Sequence, residues 1–223
     1  MADPDGILHL PSDSERVAII GHTGSGKTQA AVWQLSLRNY TTQPWIVFNF
    51  KGDGLIDSIP GTFDLGIKDR IPKRPGIYVV RPLPDDKENL DAFLFRVWKQ
   101  ERVGIYADEG YMLTGLKYFR ACLTQGRSKR IPMIVLSQRP RWIDRFVWSE
   151  ADYLQAFSLS QADDKDLVDG MIPGYDDVEL PEFWSLWRDV RRRQTLMLRA
   201  VPTEEQIRRA FKDRLPNRIR LVA

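Results

Sequence analysis

Gly21-His22-Thr23-Gly24-Ser25-Gly26-Lys27-Thr28 follows the apolar run Val17-Ala18-Ile19-Ile20 and leads into Gln29-Ala30-Ala31-Val32-Trp33-Gln34-Leu35. An apolar run, a glycine-rich turn and an alanine-containing amphipathic stretch predict strand, turn and helix in succession. The turn has the spacing G-x-x-x-x-G-K-T, in which each residue type has a physical task. Its glycines reach backbone conformations that let consecutive amides converge on phosphate oxygens. The helix behind them adds unpaired N–H groups and the positive end of its dipole. Lys27 supplies a point charge to β- and γ-phosphates, and the Thr28 hydroxyl can ligate magnesium. Eight positions in register, between a strand and a helix, imply that residues 21–28 cradle a nucleoside triphosphate rather than form a chance glycine-rich turn.

Composition bounds the setting of this loop. The chain has 223 residues, 43% of them hydrophobic, with 7 Trp and 10 Phe, which is ample for a folded core. We expect an N-terminal arm at 1–15, one α/β domain at 16–201 and a basic helix or tail at 202–223. Cys122 is the one cysteine, so a disulfide framework is excluded and a small buried thiol is expected, suited to a reducing cytoplasm. No signal peptide and no apolar run near 18 residues is visible, so a soluble protein without a transmembrane segment is expected. The net charge of +3 is uneven. Residues 185–223 hold 11 Lys and Arg against 4 Asp and Glu, a net +7, leaving −4 for residues 1–184. Such a segment suits a polyanionic partner, or else a solvated face whose aliphatic stems cover the core.

Periodicity places strands at 16–21, 45–50, 77–81, 103–107, 132–137, 151–159 and 195–199. Helices are expected at 27–37, 86–102, 111–128, 161–171, 180–190 and 203–214. Residues 57–75 read as irregular, with a short strand near 62–65. Strands alternating with helices predict a mainly parallel sheet with helices on both faces.

Val103-Gly104-Ile105-Tyr106-Ala107 delivers Asp108 and Glu109 at its carboxyl end, where ligands bind in sheets of this kind. Asp108 would hold magnesium opposite Thr28, and Glu109 would orient and deprotonate the attacking water. Asp-Glu at a strand end is also a common exposed turn. Its company, a P-loop and intervening strand–helix units, favours the catalytic reading. A glutamate beside the magnesium aspartate implies a strand inserted between the P-loop strand and the acidic strand. That is the RecA-like, additional-strand catalytic-glutamate class of P-loop ATPases.

The third anchor is Gln125-Gly126-Arg127-Ser128-Lys129-Arg130, followed by Ile131-Pro132-Met133-Ile134-Val135-Leu136-Ser137-Gln138-Arg139-Pro140. A polar amide at a strand end between the two anchors can contact phosphate and water without adding charge. These residues, with the segment Ala151-Asp152-Tyr153-Leu154-Gln155-Ala156-Phe157, resemble the FtsK–HerA superfamily of DNA-pumping ATPases. Within it the short form is similar to the genome-packaging ATPases of tailless, membrane-containing icosahedral viruses, the tectivirus type. The resemblance covers residues 16–169, and Ser-Gln-Arg-Pro with its upstream arginine is its narrower signal.

The resemblance implies Gln138 as γ-phosphate sensor and Arg127 as a finger acting on a neighbouring subunit's ATP, with Arg130 the alternative. It therefore implies a ring, a hexamer, with ATP and Mg2+ as cofactors and double-stranded DNA and capsid or packaging-vertex proteins as partners. The place of action would be host cytoplasm or the virion's packaging vertex. The sequence lacks the membrane anchor and winged-helix domain of cellular translocases, which fits a motor positioned by its capsid. Arg191-Arg192-Arg193, Arg208, Arg209, Lys212, Arg214, Arg218 and Arg220 could neutralise DNA phosphates or dock on an acidic surface. Arg139 is either structural or faces DNA. Loops after Phe50 and over 142–148 are candidate pore elements. Two rivals remain: a conjugation, plasmid-transfer or filamentous-phage assembly ATPase, and a P-loop small-molecule kinase or nucleotide switch. Asp108-Glu109 together with Ser137-Gln138-Arg139-Pro140 argues against the second.

Overall fold

A computed structural model of the chain describes residues 7–215. Strand β1 (Arg16–Ile20) is buried throughout and passes through the glycine turn into α1 (Lys27–Ser36). Then follow β2 (Pro44–Phe48), the short α2 (Gly54–Asp57), β3 (Thr62–Asp64), β4 (Gly76–Val80) and α3 (Lys87–Gln100). The acidic pair ends β5 (Gly104–Ala107), and α4 (Lys117–Gln125), β6 (Met133–Ser137) and α5 (Arg145–Ser149) come next. The remainder is β7 (Tyr153–Phe157), α6 (Ala162–Asp169), β8 (Ser185–Asp189), β9 (Gln194–Leu198) and α7 (Glu204–Arg214).

These strands form one nine-stranded sheet in the order β3-β4-β2-β5-β6-β1-β7-β8-β9. Pairs from β3 to β7 are parallel, and β8 and β9 add an antiparallel edge. Strand β6 lies between β5 and β1, as the acidic pair implied. Because side chains alternate across a strand, β1 feeds both faces of the sheet. Ala18 and Ile20 join Phe93 of α3 and Phe119 of α4 on one face. Val17 and Ile19 join Leu35 of α1 and Phe211 of α7 on the other. Parallel strands buried on both faces are the mainly parallel α/β sandwich the sequence predicted.

Two predicted helices are corrected. Residues 180–190 form no helix: Ser185–Asp189 is strand β8, antiparallel to β7. Trp184 and Trp187 have helical spacing, yet Leu186 enters one core and Trp187 the other, stacked 5.1 Å from Tyr153. Only the two-residue alternation of a strand can serve both faces. The stretch 111–128 is not one helix either. A 3₁₀ turn at Gly110–Leu113 is cut from α4 by Gly115, whose φ of 83° no right-handed helix accommodates. Helices α2 and α5 went unpredicted; each is at most five residues, with a capping Asp53 or Asp144 as its main local signal. Arg218 and Arg220 lie outside the described residues.

Candidate active site

The glycine turn sits at the carboxyl end of the sheet. The Gly21 amide donates to the Ser137 carbonyl at 3.4 Å and the His22 amide to the Ser158 carbonyl at 3.2 Å, which ties the loop to the strands on either side. Gly26, with φ 92°, caps α1 in the left-handed region, so Lys27 begins the helix with its ammonium turned back over the loop. That ammonium donates to the His22 carbonyl at 3.3 Å. A side chain on Gly21 would meet Phe157 Cβ at 2.7 Å, so glycine is required there by close approach.

Facing the loop, Asp108 and Glu109 are both buried at the end of β5. The Thr28 hydroxyl donates to Asp108 Oδ1 at 3.3 Å, so the two proposed magnesium ligands already face one another. Gln138 joins the two halves of the site. Its Oε1 accepts from the Thr23 hydroxyl at 2.9 Å, and its Nε2 donates to Glu109 Oε1 at 2.9 Å. Glu109 Oε2 is buried and accepts no hydrogen bond from the described residues, so this acceptor is left unpaired.

Lys51 was missed in the sequence. Its ammonium pairs with Glu109 Oε1 from the loop after β2. Because β2 and β5 are parallel neighbours, the residue just beyond β2 opens at the same end of the sheet as Asp108 and Glu109. Nothing in the local sequence marks that adjacency; the strand order does. The loop after Phe50, a candidate pore element, lines the cleft through Lys51 and Asp53. The cleft measures about 630 Å³ and is lined by these groups together with Phe183 and Glu204.

Its electrostatics follow from burial. Burial is the main cause holding Lys27 below the ordinary lysine value, with Lys51 next, while Asp108 and Asp53 oppose. Burial first, and the Asp53 charge second, raise Asp108 above the ordinary carboxylate value, against Lys51, the Thr28 hydrogen bond and Lys27. A buried carboxylate faced by a hydroxyl fits magnesium, which takes one or two carboxylates and leaves its other positions to water and phosphate. Among the described residues no group of three or more His, Cys, Asp or Glu is placed to hold a metal.

Arg127 does not join this cleft. It follows α4 at the opposite end of the sheet, 59% exposed, with Nη1 4.0 Å from Asp152 Oδ1. Arg130 is also exposed there, with φ 53°. Arg139 is anchored to α6 and its leading residue: its Nε donates at 2.8 Å to Asp164, whose side chain is 3% exposed, and it also donates to Gln161 at 2.5 Å. Cys122 is buried and its thiol is pushed up to about 12, which removes it as a nucleophile.

A mainly parallel sheet with its acidic strand two places from the P-loop strand, and an amide-tipped strand between, defines a RecA-like P-loop NTPase of the additional-strand class. No family model matches the chain. It is 40% identical over 218 residues to the DNA packaging ATPase P9 of Enterobacteria phage PRD1, an alignment spanning 92% of this chain and 95% of that protein, and it belongs to the P9 family. Among solved structures it is similar to the genome packaging NTPase B204 of Sulfolobus turreted icosahedral virus 2 in complex with ATP-γS. There the TM-score is 0.68 at 16% identity, over 86% of this chain and 100% of that one. It also resembles ATPases 2 and 3 of EssC from Geobacillus thermodenitrificans, with TM-score 0.63 and 13% identity over 94% of this chain and 44% of that one. At such identities the likeness is one of fold.

Proposed function

We propose that the chain is an ATPase that drives double-stranded DNA into a preformed viral capsid. The observation that carries the reading is the chain Thr23–Gln138–Glu109, which links the phosphate cradle to a buried carboxylate with an unpaired acceptor oxygen. Kinship at 40% identity with a packaging ATPase supplies the task. The small-molecule kinase has no comparable support.

The proposed chemistry is hydrolysis of the β–γ phosphoanhydride. The loop amides and Lys27 hold the β- and γ-phosphates. Thr28 and Asp108 would hold magnesium, which would supply positive charge against the triphosphate. Glu109 Oε2 takes the proton of the attacking water, while Gln138 holds Oε1 in register with the loop. Lys51, already against Glu109, would add a second cation beside Lys27 on the side of the cleft where γ-phosphate charge develops. We place the motor in a hexameric ring, Arg127 reaching a neighbour's site, with capsid or packaging-vertex proteins as partners. Its place of action is then host cytoplasm or the packaging vertex. Among the described residues no helix is long and apolar enough to cross a membrane.

Turnover measured with and without double-stranded DNA tests the reading. The wild type should be stimulated by DNA. Glu109→Gln should bind ATP normally and lose on the order of 10²–10⁴ in kcat. Near wild-type turnover in that variant removes Glu109 as the base, and a DNA-indifferent monomer that phosphorylates a small acceptor refutes the motor.

A further inference from the structure

Between α6 and β8 the chain turns through Pro181-Glu182-Phe183-Trp184, closed by the Trp184 amide donating to the Pro181 carbonyl at 3.0 Å. Phe183 takes the third position of this turn with φ 63°. That is the left-handed conformation which turns of this geometry reserve for glycine or asparagine. For a bulky aromatic residue it is an outlier that surrounding structure or function must account for. Core packing does not account for it, because Phe183 is 46% exposed. The ring lies instead on the phosphate loop: a methyl built on Gly26 would sit 3.2 Å from Phe183 Cδ1.

Strand order says which part of a ligand the ring would meet. Glu109 and Gln138 emerge from β5 and β6, on one side of β1, whereas Phe183 stands just before β8, two strands away on the other side. With strands roughly 4.8 Å apart, the Glu109 end of the cleft lies about 10 Å from the strand that feeds the loop, while the Phe183 ring closes the other side against Gly26. Both ends line one cavity. A nucleoside triphosphate whose γ-phosphate points toward Glu109 and whose β-phosphate fills the loop must carry its base away from Glu109, toward Phe183. The far rim is braced there by Gln29, whose amide donates to the Pro202 carbonyl at 2.7 Å.

We propose that Phe183 is the platform on which the nucleobase stacks. The proposal rests on the nucleotide-hydrolysis reading of the cleft and extends it from the phosphates to the base. An aromatic face accepts every base, so the platform favours nucleotides over bare polyphosphate without choosing between adenine and guanine. The strain in the turn holds the ring at the loop, where a relaxed turn with glycine would leave only backbone.

Calorimetric titration of the full chain, with magnesium, against non-hydrolysable ATP and GTP analogues and inorganic tripolyphosphate tests this. Phe183→Ala should weaken both nucleotides about tenfold and leave tripolyphosphate unchanged. Phe183→Trp should restore nucleotide affinity. Phe183→Gly puts the favoured residue into the turn, so it should melt above the wild type and still lose base affinity, which separates the loss from misfolding. Unchanged nucleotide affinity in Phe183→Ala overturns the platform. So does an equal loss for tripolyphosphate, since Phe183 would then only buttress Gly26. A wild type that binds none of the three ligands overturns the hydrolysis reading together with the platform.

Discussion

Lys51 and Lys27 share one cleft with Asp108, Asp53 and Glu109, and their mutual influence makes the site testable residue by residue. The Lys51 charge is one of the causes that hold Lys27 below the ordinary lysine value, and one of those that limit the rise of Asp108. Removing it in Lys51→Ala therefore has two consequences of known sign. Lys27 rises, so it keeps its charge to higher pH, and the alkaline limb of ATP-analogue binding moves upward. Asp108 also rises, so proton competition with magnesium begins at a higher pH on the acid side. Turnover should fall about tenfold or more, because a cation beside the developing phosphoryl charge is lost. A pH series of analogue affinities beside kcat measures all three effects. An unshifted alkaline limb would mean that the two ammonium groups do not sense each other.

Elements differ in how openly they announced themselves. Residues 16–28 were legible because a buried strand, a turn needing glycine and a helix start each leave a local mark. Strand β5 was legible because its apolar run ends in two acids, and the strand between it and β1 was expected from the class of ATPase that such a pair marks. Strand β8 was not legible, since Trp184 and Trp187 mimic helical spacing and the alternation appears only once both core faces are known. Within the site, Lys51 and Phe183 were hidden for a related reason: each reaches the cleft through strand order, which no local window records. Helix α7, expected at 203–214, opens on a capping box in which Thr203 and Gln206 bond reciprocally. Its docking on α1 depends on Phe211, which is fully buried with its ring 5.6 Å from Tyr40. Arg214 adds a bond to the Ser36 carbonyl. Phe211→Ala should cost about 3 kcal/mol, read as a lower denaturant midpoint at unchanged slope. A shift below about 0.5 kcal/mol, the range of surface substitutions, would show that the helix is not held by this ring.

Across the whole molecule, the parallel sheet acts as a spacer. It puts the phosphate loop, Asp108, Glu109 and Gln138 at the carboxyl ends of the strands, and Arg127 at the amino ends, beside Asp152 and Arg16. A five-residue strand such as β6 spans roughly 17 Å, so Arg127 cannot reach the cleft of its own chain. An exposed arginine so placed could serve hydrolysis only in another copy, which is the role proposed for it above. Two damaged subunits should then repair each other. Arg127→Ala keeps its own Glu109 but lends no finger, whereas Glu109→Gln lends a finger but cannot hydrolyse. In a mixed ring, a Glu109→Gln subunit beside an Arg127→Ala subunit completes one working site. Turnover of the mixture should therefore exceed that of either parent at equal total protein, with a maximum at intermediate ratios. A mixture no more active than the weighted mean of its parents would place the finger elsewhere. Repeating the titration with Arg130→Ala then shows whether the adjacent arginine, exposed on the same face, carries the role instead.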